Sequence, residues 1–94
     1  MDENMPRLTL ADGTSVPCAF FGVSSTGRLY IDIFGMTMAE AFAAFGDAEK
    51  TKEMTLSAPN AETLTRKGFS VFLGVEVTDG GAVRVTMRRK FEGE

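Results

Sequence analysis

A single helix, bracketed by Gly35 and Gly46, is the feature that most restricts how this chain can fold. Thr37-Met38-Ala39-Glu40 has the form of a capping box. The Thr37 hydroxyl can accept from the Glu40 backbone N–H, and the Glu40 carboxylate can accept in return from the N–H of Thr37. Met38, Ala41, Phe42 and Phe45 follow at the spacing of one apolar helical stripe. Gly46 stands where a left-handed closing residue would end the helix. Every other segment reads as strand and turn.

Arg7-Leu8-Thr9-Leu10 alternates in polarity and runs into Asp12-Gly13, the signature of a type I′ hairpin turn. A strand over 15–22 returns from it. After the turn at 24–27, residues 28–34 place Leu29, Ile31 and Ile33 on one face and Tyr30, Asp32 and Phe34 on the other. Residues 51–58 read as a fourth strand, with Met54 and Leu56 inward. Threonine-rich residues 58–67 read as a surface loop, longer than most connections. The last third is a hairpin around 78–81, with Val71, Leu73, Val75 and Val77 sharing a face against Val83, Val85 and Met87. The expected fold is α+β: an antiparallel sheet of about six strands with hairpins at 12–13 and 78–81. One amphipathic helix near 37–46 packs on one face of it.

A chain of 94 residues has room for one domain, 1–94, and would bury about 64% of its extended-chain surface. Residues 1–6 and 92–94 are expected to fray. No apolar run reaches the roughly 18 residues that span a bilayer, and the acidic start at Met1-Asp2-Glu3 is unlike a signal peptide. A cytoplasmic or virion-associated protein is expected, with no membrane partner. The net charge of −3 disfavours nucleic acid, whose binders neutralise phosphates with lysine and arginine.

Catalytic and metal chemistry find few residues to work with. The chain has no histidine and one cysteine, so the usual nitrogen and sulfur metal sites cannot be assembled, and no cofactor is expected. Cys18 lies in the apolar run Val16-Pro17-Cys18-Ala19-Phe20-Phe21 and reads as a small buried hydrophobe. Asp32, between two aromatic residues, is the acid best placed for general acid or base work, yet nothing marks a substrate pocket beside it. The glycines do not form a phosphate cradle. The helix N-terminus is already answered by Glu40. An enzyme is not expected.

Eight phenylalanines and no tryptophan suit packing better than stacking on bases. Phe20-Phe21, Phe42, Phe45, Phe69 and Phe72 would supply most of the core. Adjacent Phe20 and Phe21 cannot both face one side of a strand, so one ring is left for a partner. Phe21 is assigned that role, with Phe34 as the second such ring. Arg84, Arg88, Arg89 and Lys90 form the basic cluster of an otherwise acidic chain and complete the set of expected partner contacts.

Phe34-Gly35-Met36-Thr37-Met38-Ala39-Glu40-Ala41, then Phe45 and Asp47-Ala48-Glu49-Lys50-Thr51, give the chain a pattern across residues 8–90. It resembles small bacteriophage and prophage proteins with a hairpin start, a glycine-led helix and a closing hairpin. Such proteins are often found among virion assembly or tail-module genes. The resemblance implies a non-catalytic structural or assembly module acting through protein–protein contacts. Its partner would be itself, as a homo-oligomer, or another virion-type protein. The alternative is a small phage-encoded inhibitor of a host defence protein such as a nuclease.

Overall fold

The computed structural model describes residues 5–91. The elements are β1 (Arg7–Thr9), β2 (Ser15–Val23), β3 (Arg28–Ile33), α1 (Met38–Phe45), α2 (Ala48–Thr51), β4 (Glu53–Ser57), β5 (Leu64–Lys67), β6 (Val71–Val77) and β7 (Val83–Arg88). The fold is α+β: a seven-stranded sheet in the order β5-β4-β1-β2-β3-β7-β6, with every pair antiparallel and two short helices packed on it. Of the ends expected to fray, 1–4 and 92–94 lie outside the described residues. Pro6 is already held, because its carbonyl accepts from the Cys18 N–H at 2.9 Å.

Three hairpins share one turn design. In each, three residues close the loop and a glycine ends it at positive φ: Gly13 (93°), Gly27 (83°) and Gly81 (85°). At the first, Gly13 N–H donates to the Leu10 carbonyl at 3.0 Å and Leu10 N–H donates to that of Thr14 at 2.8 Å. Only the glycine needs the left-handed region, so the expected two-residue type I′ turn is replaced by a three-residue one. Asp12 keeps negative φ and its Oδ1 accepts from Thr14 N–H at 2.9 Å. That bond holds the Asp12 carboxyl below its ordinary value.

The segment 58–67, expected to be a loop, contains the strand β5. Leu64–Lys67 pairs with β4 from Leu56↔Leu64 to Glu53↔Lys67, and the Thr55 and Thr65 hydroxyls share a hydrogen bond of 3.2 Å. The turn into it passes through Asn60 at φ 61°. Helix α2, also unforeseen, is capped by Asp47, whose Oδ1 accepts from Glu49 N–H at 3.0 Å.

β2 joins two half-sheets. Its first part, Ser15 to Pro17, pairs with β1, and its second part pairs with β3. Between Cys18 and Phe20 the register slips by a bulge at Ala19, so Cys18 and Phe21 both turn inward. At the far side Gly68 belongs to both halves. Its N–H donates to the Lys52 carbonyl at 3.2 Å, and its carbonyl accepts from Lys90 N–H at 3.1 Å. The sheet is therefore bent along β2 and pinned at Gly68, and the core lies between its halves. Leu8, Val16 and Met54 face Phe21, Leu29, Ile31, Ile33, Val85 and Met87 across that space, with Phe69 beside the corner.

The capping box is present as expected: Glu40 N–H donates to Thr37 Oγ1 at 3.1 Å, and Thr37 N–H donates to Glu40 Oε1 at 2.9 Å. The buried stripe differs. Ala41, Ala44 and Phe45 are buried, while Met38 and Phe42 are exposed. Two alanines let the helix approach the sheet closely with Phe45 as its one large inserted side chain. Phe42 turns out to sit against Phe72, ring centroids 5.3 Å apart. Of the six phenylalanines expected in the core, Phe21, Phe45 and Phe69 are buried, Phe72 packs partly against it, and Phe20 and Phe42 are exposed.

Candidate functional site

The expected partner contacts divide among separate places. Phe21 is not at the surface: it is 6% exposed in the core, and the Arg66 guanidinium lies 5.6 Å from its ring centroid. The bulge at Ala19 is the cause, because unbroken alternation from Val16 and Cys18 would have buried Phe20 instead. Phe20 is the outward ring, 51% exposed and opposite Asp32. The far end of its ring lies so close to Gly22 that a Cβ there would come within 2.8 Å of Phe20 Cζ. Phe34 is half-buried, and its N–H donates to the Pro17 carbonyl at 3.0 Å.

Arg84 belongs to the outer face of the sheet and is paired. Its Nε donates to Asp32 Oδ1 at 2.8 Å and its Nη2 donates to Oδ2 at 3.0 Å. Those bonds raise the guanidinium above its ordinary value. Asp32 is thus engaged by a cation, and the acid best placed for proton transfer serves as half of a cross-strand ion pair.

Arg88 and Arg89 lie apart from Arg84, at the far end of β7, in company the sequence order does not suggest. Arg28, at the start of β3, and Arg66, in β5, line the same cleft of about 480 Å³. Phe69, Phe91 and Val23 supply its apolar lining. Arg89 lies 4.5 Å from the Phe69 ring centroid, and its Nη1 donates to the Lys67 carbonyl at 3.2 Å. Arg88 lies 4.8 Å from the centroid of Phe91 and donates from Nη1 to the Arg89 carbonyl at 3.0 Å. Lys90 is exposed and is not part of the lining. The bent sheet makes this cluster by bringing the β2–β3 turn, the end of β5 and the end of β7 together.

A second surface runs along β6. This strand ends the sheet, pairing with β7 on one side and, among the described residues, with no strand on the other. A bulge between Phe72 and Gly74 shifts its register, so Phe72 lies opposite Met87 and Val71 opposite Arg88. Val71 and Leu73 therefore leave the inner face on which alternation placed them. Leu73 and Val77 are exposed on the strand, and Met38 and Phe42 are exposed on α1, which packs against it.

Elsewhere the chemistry is sparse. Burial pushes the Cys18 thiol up to about 11, and its Sγ donates to the Phe20 carbonyl at 3.1 Å. Among the described residues no group of three or more histidine, cysteine or acidic side chains is placed to hold a metal ion. Among the same residues no helix is long and apolar enough to cross a membrane. No family model matches the chain, and no curated protein or solved structure is significantly similar to it.

Proposed function

We propose that the chain is a non-catalytic assembly module of the bacteriophage or prophage structural type, working through protein–protein contact along the β6 margin. The observation behind this reading is a strand edge paired with no other strand among the described residues and flanked by apolar side chains. Phe42 is 59% exposed and Val77 equally so, with Met38 and Leu73 beside the same strand. Sheet edges are ordinarily blunted by charge, proline or a covering segment. Across Val71–Val77 the one charged residue is Glu76, and there is no proline. The opposite edge, β5, carries Arg66, Lys67 and a threonine and fits a protected edge better. Covering the part of the Phe42 ring still exposed would contribute roughly 1–2 kcal/mol.

Light scattering on the purified chain across a concentration series tests this. The expected result is a mass above that of the monomer, falling towards it in Phe42→Glu and Val77→Lys. A chain that stays monomeric throughout, and assembles with no virion-type protein, would remove the reading.

A further inference from the structure

We infer that the arginine cleft is a binding site for a small phosphate-bearing ligand, a diphosphate or nucleotide, distinct from the β6 margin. Arg28, Arg66 and Arg89 carry the inference. They come from three different strands or strand ends, so their convergence is a product of the fold and not of a basic run in the sequence. Among the described residues the cleft is lined by arginines and apolar or neutral groups, with no carboxylate. This occurs in a chain whose net charge is −3.

Two of the guanidiniums are fixed in advance. Arg66 lies over buried Phe21 and Arg89 over buried Phe69, and the bond from Arg89 to the Lys67 carbonyl holds its plane. Stacked arginines present rigid N–H forks and lose little freedom when an oxyanion docks. The Arg66 Nε is itself buried with no hydrogen-bond partner among the described residues.

The choice of ligand follows from charge and size. A carboxylate offers one charge and meets one fork, whereas a diphosphate offers several charges and enough oxygens for several forks together. The cleft volume falls within the roughly 300–1,000 Å³ typical of small-molecule sites. A nucleic-acid strand is disfavoured, because tracking its backbone calls for a basic stripe and four of the arginines among the described residues gather in a recess.

Calorimetric titration of the full chain at low salt, with inorganic pyrophosphate, ADP and acetate, tests the site. Pyrophosphate should bind saturably at one site, with a Kd below about 1 mM, and acetate should not. Arg28→Glu, at an exposed position, and Arg66→Lys, which keeps the charge but loses the fork, should each weaken it about tenfold or more. Melting curves of both variants check that they remain folded. ADP binding more tightly than pyrophosphate would identify a nucleotide site, and equal binding a site for the diphosphate alone. The inference falls if neither phosphate binds at about 5 mM, or if both variants bind as the wild type does. It falls equally if acetate, or an oligonucleotide in place of pyrophosphate, is the species that binds.

Discussion

Arg84 holds both carboxylate oxygens of Asp32 across the β3–β7 ladder, Nε to Oδ1 at 2.8 Å and Nη2 to Oδ2 at 3.0 Å. The two residues are directly opposed in register, and Glu76 opposes Arg84 on its other side. The outer face therefore runs Phe20, Asp32, Arg84, Glu76 from β2 to β6, with the cation between two acids. Asp32 is 13% exposed and Arg84 40%, which places the pair between a surface bridge and a buried one.

That intermediate burial fixes what its removal should do. Arg84→Met strands a mostly covered carboxylate and is expected to cost about 2 kcal/mol, more than Asp32→Asn. In urea melts of both single variants and the double variant, the coupling energy should be about 1 kcal/mol. Strictly additive effects would show that the two hydrogen bonds contribute nothing net to stability.

Helix α1 offers a sharper contrast between neighbours in one apolar run. Phe45 is fully buried, so Phe45→Ala should cost about 3–5 kcal/mol. Phe42 has the same side chain but is mostly exposed, and it stands to lose chiefly its contact with Phe72. Phe42→Ala should cost no more than about 1.5 kcal/mol. Denaturant midpoints of the two variants decide it. Equal losses would restore the stripe expected from spacing alone, with Phe42 facing the sheet.

What could be read in advance was whatever a local signal encodes. The capping box spans four residues and forms as read, and three of the hairpins are announced by the glycine that ends the turn. Strand β5 was hidden because Leu64–Lys67 is polar and extended only by pairing with β4, a decision taken outside the segment. The bulges at Ala19 and Leu73 were hidden for a related reason. Each inserts one residue and reverses the face of everything beyond it, which is why Phe21 and not Phe20 is buried. Gly46 ends the helix without the expected left-handed conformation: it sits at φ −78°, and a Cβ there would come within 2.6 Å of the Phe42 carbonyl oxygen. Of the arginine cleft, only adjacent Arg88 and Arg89 could be seen. Arg28 and Arg66 join them through the bend at β2 and the corner at Gly68.

Cys18 links that bend to a pH response. Its thiol is 1% exposed, beside the bulge that turns β2, and burial raises it to about 11 from an ordinary value near 9. Because the folded chain holds this proton more tightly than the unfolded chain, the stabilisation is complete below about pH 8.5 and is lost as pH rises towards 11. The amount involved is on the order of 2–3 kcal/mol. Urea melts between about pH 8 and 10.5 should show the wild type losing stability more steeply than Cys18→Ala. Comparing slopes removes the packing loss that the substitution itself introduces. The same burial makes the thiol inert to aromatic disulfide reagents in the native state and reactive once urea unfolds the chain. Parallel slopes, or native reaction as fast as that of a free thiol, would place Cys18 in contact with water and undo the inward turn assigned to the bulge.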